Sequence, residues 1–352
     1  MKKLVTLLLA ATTLLSIVAC SEKTEQPHQH NWQDATCVAP KTCKDCGATE
    51  GEKTAHNFVD GACINCGEKA PGSAGLEYTQ YDNTMAVTGV GTCTDTEVII
   101  PSTYNNLPVT AIDNLAFLAC ETMESITIPE GVTSIGDRAF QDCVNLHTVK
   151  LPNGVEYIGE LTFMNCEILQ EITLPASLTS LGDGAFRDCV SLYQMAIPEG
   201  VTYLGGNTFY GCKMLESVTL PNTLTTIGEA AFGFCESMKE IVIPASVSTM
   251  ENDIFACCSS LESVTIPEGV SFIGTWTFLG CDNLREINLP STITSFGYGV
   301  FEHSGYVTEI NFAGTQEQWN AIEFDEAWNA GCPLEVVHCK DGDVTVDQYY
   351  EE

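Results

Sequence analysis

A repeat of 23 residues runs through the chain from Glu124 onward, and it restricts the possible folds more than any other feature. Three residue types recur in this period as fixed columns. The proline column comprises Pro129, Pro152, Pro175, Pro198, Pro221, Pro244, Pro267 and Pro290. The phenylalanine column comprises Phe117, Phe140, Phe163, Phe186, Phe209, Phe232, Phe255, Phe278 and Phe301. The cysteine column comprises Cys120, Cys143, Cys166, Cys189, Cys212, Cys235, Cys258 and Cys281. Nine units of this kind predict a solenoid, because no single unit can bury its apolar face alone.

The order of residues within one unit predicts a strand followed by turns. Ile126 and Ile128 alternate with a polar threonine, which is the pattern of a strand with one buried face. Pro129 removes a backbone donor and ends that strand. Phe140 and Cys143 begin a three-residue apolar spacing that suits turns or a short 3₁₀ segment. Stacked units then form a parallel β-sheet with strands about 4.8 Å apart, so nine units give a strand face roughly 43 Å long.

This unit resembles the BspA-type subclass of bacterial surface leucine-rich repeats, whose unit reads Leu-x-x-Ile-x-Ile-Pro-x-x-Val-x-x-Ile-Gly-x-x-Ala-Phe-x-x-Cys. The resemblance covers residues 97–307 and implies a leucine-rich-repeat solenoid. Two departures occur: Thr103 to Pro108 carries an insertion of five residues, and Ser304 stands where the last cysteine is expected. The resemblance also implies a protein of the cell surface whose repeats act as an interaction surface, with a ligand that varies between family members.

The flanks of the repeats are expected to cap the solenoid, since an open end exposes core and an unpaired strand edge. Residues 76–96 are predicted to supply strands over the first unit, and residues 308–340 to cover the last. In the second cap, Thr315 is expected to begin a short helix that turns Trp319 and Ile322 toward the final repeat. Residues 341–352 form an acidic tail that is predicted to fray.

The first twenty residues predict export from the cell. Lys2 and Lys3 precede an apolar run that is too short for a comfortable membrane span, and the run ends at Cys20. This segment resembles a bacterial lipobox, which implies a signal peptide at 1–19, lipidation of Cys20 and a linker at 20–29. A plain secretory signal with a coincidental cysteine is the alternative. The sequence thus predicts a lipoprotein held at the bacterial cell surface, in contact with the membrane through its lipid anchor alone.

A second group of cysteines lies before the repeats, at residues 30–70. Cys43 and Cys46 form one Cys-x-x-Cys pair, and Cys63 and Cys66 form another at the spacing of a zinc ribbon. A segment this short with little aliphatic content needs a staple, so a structural zinc ion is the favoured cofactor. Disulfides or an unstapled spacer remain open, as does an alternate ligand set. The alternate ligands are His30, Cys37 and His56.

The chain holds 18 cysteines, which in an exported protein normally suggests disulfides. The cysteine column contradicts that expectation, because equivalent positions in stacked units carry parallel side chains with no partner opposite. We therefore predict small, buried, apolar thiols along the column. Disulfides between neighbouring units are the alternative, since the unit spacing falls within the range of Cα distances that a disulfide spans.

Charge and motifs restrict the function. With 14 basic and 47 acidic residues the formal net charge is −33, which repels phosphate backbones and makes nucleic acid an improbable partner. The sequence contains no nucleophile elbow, phosphate loop or zinc-protease helix. An enzyme hypothesis therefore has no residues to name, and a binding function is the better interpretation.

A binding function would use the outward positions of the strands, which form one continuous face. Most of these positions hold threonine or serine, which are also simply good strand formers. On this face the candidate ligand-binding residues are Lys150, Glu171, Gln194, Glu240 and Asn288, and a second outward column carries the aromatic candidates Tyr157, Tyr203 and Phe272. The expected partner is an extracellular protein or glycan, and the expected role is adhesion or host–microbe contact. A component of an extracellular glycan- or nutrient-capture system and a structural envelope spacer are the alternatives.

Overall fold

A computed structural model of the chain describes residues 31–36, 39–44, 48–51, 53–54, 58–59, 62–63, 66 and 72–346. The chain divides into two compact units, Met1–His56 and Asn57–Glu352. The first contains a small antiparallel sheet in which β2 (Lys41–Cys43) lies between β1 (Trp32–Gln33) and β3 (Thr49–Glu50).

The second unit begins with an antiparallel pair of strands, β4 (Phe58–Val59) and β5 (Ala62–Cys63). The N-terminal cap, predicted for residues 76–96, contains the hairpin of β6 (Glu77–Tyr81) and β7 (Thr84–Gly89). The repeat region then starts with β8 (Glu97–Ile99), and the predicted insertion forms β9 (Thr103–Tyr104), which pairs with β10 (Leu107–Ile112). β4 lies against β9, so the insertion supports the segment that precedes the cap.

The turns of the solenoid form two ladders of parallel strands, to which every turn contributes except that of Glu171, which has no strand in the first ladder. The first ladder uses the predicted strand of each unit. It comprises β8, β11 (Ser125–Thr127), β13 (Thr148–Lys150), β16 (Gln194–Ala196), β18 (Ser217–Thr219), β20 (Glu240–Val242), β22 (Ser263–Thr265), β24 (Glu286–Leu289) and β26 (Glu309–Phe312). The second ladder was not predicted from the sequence. It comprises β7, β10, β12 (Ser134–Ile135), β14 (Tyr157–Ile158), β15 (Ser180–Leu181), β17 (Tyr203–Leu204), β19 (Thr226–Ile227), β21 (Thr249–Met250), β23 (Phe272–Ile273), β25 (Ser295–Phe296) and β27 (Glu323–Phe324).

The third side of each turn has no strand but is also hydrogen-bonded from turn to turn. The Phe117 amide, for example, donates to the Ala139 carbonyl of the next turn at 2.8 Å. The expected 3₁₀ segment is instead a series of separate turns: Cys143 bonds back to Phe140, but Asp142 between them has a φ of 60°. A left-handed residue cannot continue a 3₁₀ helix, and aspartate tolerates that conformation better than most residues.

Nine phenylalanines form a continuous stack through the core. Each ring of the phenylalanine column lies over the next at 5.3–5.8 Å between centroids, and the ring planes differ by only 4–11°. All nine side chains are fully buried. Offset parallel rings at such distances gain stability beyond their buried area, so this column adds ring–ring contacts between successive turns to the burial that the aliphatic core provides.

The cysteine column donates hydrogen bonds from turn to turn. The Cys212 thiol, for example, lies 3.1 Å from the Phe186 carbonyl oxygen of the preceding turn. The same contact recurs at 3.0–3.3 Å at Cys143, Cys166, Cys189, Cys235, Cys258 and Cys281. Ser304, which replaces the last cysteine, makes it with its hydroxyl at 2.6 Å. Burial raises the pKa of the Cys143 thiol to about 12, which keeps that donor protonated. The residues of this column are therefore donors as well as small apolar groups.

A pair of substitutions at Cys212 separates these two properties. Cys212→Ala removes the donor and leaves a small void, so we expect the free energy of unfolding to fall by about 1–2 kcal/mol. Cys212→Ser keeps a donor, as Ser304 does naturally, and is expected to cost less than Cys212→Ala. Urea unfolding followed by circular dichroism measures both. If Cys212→Ser lowers the free energy of unfolding as much as Cys212→Ala or more, the column contributes through its size and apolarity alone.

Many carboxylates of this acidic chain also have a structural role. Asp137 accepts the Glu160 amide of the next turn at 2.9 Å, and Glu268 accepts the Ser291 amide at 3.2 Å. Asp183 does the same for Gly206 at 3.1 Å. Part of the negative charge is therefore fixed in the joints between turns.

The C-terminal cap closes the core of the last turn. Helix α1 (Gln316–Asn320) begins at Thr315 with a capping box, and Trp319 is 3% exposed. The predicted fraying of residues 341–352 is wrong for their first part, since β29 (Gly342–Thr345) pairs with β28 (Val336–Cys339). That pairing covers the edge of the first ladder, and Val344 packs against the core. Within the described part of the chain, no helix is long and apolar enough to cross a bilayer.

Candidate ligand-binding site

The predicted ligand-binding residues lie on two different faces of the solenoid. Lys150, Glu171, Gln194 and Glu240 are exposed on the face that contains the first ladder, as expected for outward strand positions. Asn288 is half-buried on the same face and binds side chains of the neighbouring turns, accepting from Asn311 at 3.0 Å. The structure therefore brings four of these residues to an open surface and engages the fifth within the sheet.

The three predicted aromatic residues belong to the second ladder. Tyr157, Tyr203 and Phe272 are 39%, 45% and 40% exposed. Tyr157 donates its hydroxyl to Asp137 at 3.2 Å. In the second ladder, Tyr157 pairs with a serine of each adjacent turn, and Tyr203 lies two turns away. The three aromatic rings therefore do not form a single cluster.

The first ladder opens at residues 171–173. Glu171 to Thr173 occupy the strand position but pair neither with β13 nor with β16. A depression of about 720 Å³ lies at this opening. A second depression of about 300 Å³ shares Glu171, Ile172 and Thr173 with it and extends to Ser217. We call this combined depression the groove.

Tyr193 forms the best-defined part of the groove. Its hydroxyl donates to the Glu171 carboxylate at 3.1 Å and accepts from the Gln194 side-chain amide at 3.1 Å. The acceptor carboxylate raises the pKa of Tyr193, which keeps the hydroxyl protonated. The ring itself is 38% exposed. The groove thus contains an open aromatic surface that two hydrogen bonds hold in place.

Charged and polar groups complete the lining of the groove. The Lys150 side chain has neither an ion pair nor a hydrogen bond within the described residues, so its ammonium group is available. Gln170 is exposed at the same depression, and Thr148 binds His147 through a side-chain contact of 2.9 Å. The groove therefore offers donors, acceptors and an apolar ring within one surface.

A smaller opening of the first ladder occurs between β18 and β20, which do not pair. A depression of about 580 Å³ lies there and includes Lys239 and Glu240. It contains serines, glutamates and one lysine but no aromatic residue. The groove is therefore the stronger candidate for a specific site.

Sequence reasoning missed Tyr193, Gln170 and His147 because they occupy the first position of the unit, just before the strand. Most other units have a charged residue at that position, such as Glu216 or Lys239. An aromatic residue in a column of charged ones was therefore the available signal.

The predicted metal site lies mostly outside the described residues. His30, Cys37, Cys46 and His56 are not described, and of Cys63 only the backbone is. Cys43 is buried in β2, and Cys66 is half-buried. In the part of the chain that is described, no three potential ligands gather into a metal site. Cys20 and the predicted signal peptide also lie outside it.

Comparisons with known proteins agree with the class of fold that the geometry defines, a leucine-rich-repeat solenoid. The model of the BspA type leucine rich repeat region matches residues 110–221 and 204–328, with 6 copies. The chain belongs to this family, as the repeat pattern predicts. No curated protein sequence matches it.

Solved structures of bacterial leucine-rich-repeat proteins are similar to this chain. A leucine-rich repeat protein from Bacteroides ovatus is 29% identical with a TM-score of 0.66, over 76% of this chain and 70% of that one. A leucine-rich repeat protein from Eubacterium ventriosum is 20% identical with a TM-score of 0.47, and the match covers 76% of this chain and 83% of that one. A leucine rich cell surface protein from Faecalibacterium prausnitzii is 24% identical with a TM-score of 0.34, and the match covers 72% of this chain and 97% of that one. The first of these supports the solenoid fold.

Proposed function

We propose that this protein is a bacterial surface lipoprotein whose solenoid binds an extracellular protein or glycan, in adhesion or host–microbe contact. The observation that carries the proposal is the groove, where an anchored aromatic ring and unpaired polar groups lie at an opening of the first ladder. Concave surfaces that combine apolar rings with a few placed polar groups are typical of ligand sites. Membership of a family of surface repeats supports the same role.

Lipidation of Cys20 would hold the solenoid outside the cell, and the lipobox-like sequence before that cysteine supports it. Metabolic labelling with a fatty acid tests this part. We expect the wild-type chain to incorporate label and to fractionate with membranes. Cys20→Ala is expected to lose both, whereas a plain secretory signal would leave its fractionation unchanged.

A structural zinc ion on Cys43, Cys46, Cys63 and Cys66 is part of the proposal, with His30, Cys37 and His56 as alternate ligands. Elemental analysis of the purified protein measures it. We expect about one zinc per chain, and less after Cys46→Ser. A zinc-free protein with unchanged folding would contradict the ion.

Binding is tested with the mature chain, made soluble by Cys20→Ala and titrated against extracellular-matrix proteins, mucins and polysaccharides at two salt concentrations. Saturable binding of any of these supports a ligand-binding function, and the class of ligand separates adhesion from nutrient capture. If no member of the panel binds, the envelope-spacer alternative becomes the better account.

A further inference from the structure

We propose that the groove binds a neutral saccharide chain of several sugar units. This inference rests on the proposed binding function and names the class of ligand for that site. Four properties of the groove lead to it: its unpaired backbone, its aromatic surface, its length and its charge.

The unpaired backbone N–H and C=O groups at the opening favour a ligand that both donates and accepts hydrogen bonds. No backbone hydrogen bond links Glu171, Ile172 or Thr173 to the turn on either side, within the described solenoid. Sugar hydroxyls donate and accept equally well, so they can replace water at such groups. An extended peptide fits less well, because β-augmentation needs a sheet edge. Here the turns beginning at His147 and Tyr193 flank the opened strand on both sides.

The exposed ring of Tyr193 supplies the apolar contact that a sugar needs. The face of an aromatic ring carries negative charge density and attracts the partly positive C–H groups on the apolar face of a pyranose. Hydrogen bonds to Glu171 and Gln194 fix the ring before any ligand arrives. Such preorganisation lowers the entropy that binding would otherwise lose.

The groove is too long for a monosaccharide. It extends from the turn of Lys150, across those of Glu171 and Gln194, to the turn of Ser217. Three intervals between turns span roughly 14 Å at the usual strand spacing. Side-chain amides of Gln170 and Gln194 stand along it and can each bind adjacent hydroxyls.

Charge favours an uncharged glycan over an acidic one. The chain carries a formal net charge of −33, which repels a polyanion before contact. Within the groove, the single available cation of Lys150 is accompanied by the Glu171 carboxylate. A site for uronate or sulfate would be expected to hold more basic groups than this one does.

The test uses the full mature protein and a matched pair of polymers, neutral hydroxyethylcellulose and anionic carboxymethylcellulose. Neutral β-glucan, mannan, xylan and starch oligosaccharides extend the panel. Isothermal titration calorimetry measures affinity for the wild type, for Tyr193→Ala and for Tyr306→Ala. Tyr306 is also an exposed tyrosine but lies near the end of the solenoid beside Arg285. Thermal unfolding confirms that each variant is folded.

We expect at least one neutral saccharide to bind, with Tyr193→Ala weakening it about tenfold or more and Tyr306→Ala leaving it unchanged. A preference for anionic polymers would overturn the neutral class. Neutral binding that survives Tyr193→Ala would overturn the location. If a matrix protein binds and Tyr193→Ala abolishes it while no saccharide binds, the inference fails and the proposed function stands. If nothing in either panel binds, both fail.

Discussion

Replacing Phe209 by alanine is expected to lower the free energy of unfolding by about 3–5 kcal/mol, measured by urea denaturation. Phe209 is fully buried and stacks on Phe186 at 5.8 Å and on Phe232 at 5.7 Å. The substitution therefore leaves a cavity and removes two ring contacts. In a solenoid each turn contacts only its neighbours, so a gap in the middle also weakens the coupling between the two halves. We expect a broader transition, with the two halves melting separately.

Phe234→Ala is the matched control. Phe234 lies two residues after Phe232 but is 37% exposed, and it contacts Tyr210 rather than the stack. Phe234→Ala is expected to lower the free energy of unfolding by less than about 1 kcal/mol. Equal losses from the two variants would mean that the stack does not dominate stability, and an unchanged cooperative transition in Phe209→Ala would argue against coupling through it.

Trp319→Ala is expected to lower the free energy of unfolding by a similar amount, about 3–5 kcal/mol, and to make the protein aggregate. Trp319 fills the C-terminal cap, with Phe312 at 5.3 Å, Phe324 at 5.4 Å and Phe296 at 6.0 Å between ring centroids. Without it, α1 no longer covers the core and strand edges of the last turn. Light scattering during a thermal ramp measures the aggregation, and circular dichroism measures the stability.

The control for this cap is Trp276→Ala. Trp276 is 39% exposed on the eighth of the nine units, outside the cap, and donates to Glu302 at 3.1 Å. We expect a much smaller loss of stability and no added scattering. A Trp319→Ala protein that stays monomeric and as stable as Trp276→Ala would show that α1 is not needed as a cap.

The features predicted from sequence are those that depend on local pattern or on the period. The phenylalanine column and the helix after Thr315 each have a local chemical signature, and the structure contains both. The second ladder has no such signature, because its strands are pairs such as Ser134–Ile135 that are too short to alternate. Val344 was assigned to a fraying tail because its neighbours are acidic, but it pairs in β29 and packs on the core.

The candidate site was predicted only in part. Outward positions such as Lys150 and Glu171 follow from the alternation of the strand. The opening of the ladder does not, because Glu171-Ile172-Thr173 has the same polar–apolar–polar order as paired strands such as Ser217–Thr219. Whether neighbouring turns form backbone hydrogen bonds depends on their relative positions in space, which cannot be derived from the order of residues in the repeat. Tyr193 was missed for the related reason that it precedes the strand.

The openings of the ladders also have a mechanical consequence. Between the turn of Glu171 and the turn of Gln194, both ladders are interrupted, since β15 does not pair with β17. There the third side continues, with the Phe186 amide donating to Thr208 at 3.0 Å, and Tyr193 still donates to Gln170. A solenoid stretched along its axis, as fluid flow stretches a tethered protein, would yield first at this joint. Because Glu171 and Tyr193 stand on opposite sides of it, tension would separate the two residues that hold the groove together, and a bound chain bridging them would stiffen the molecule.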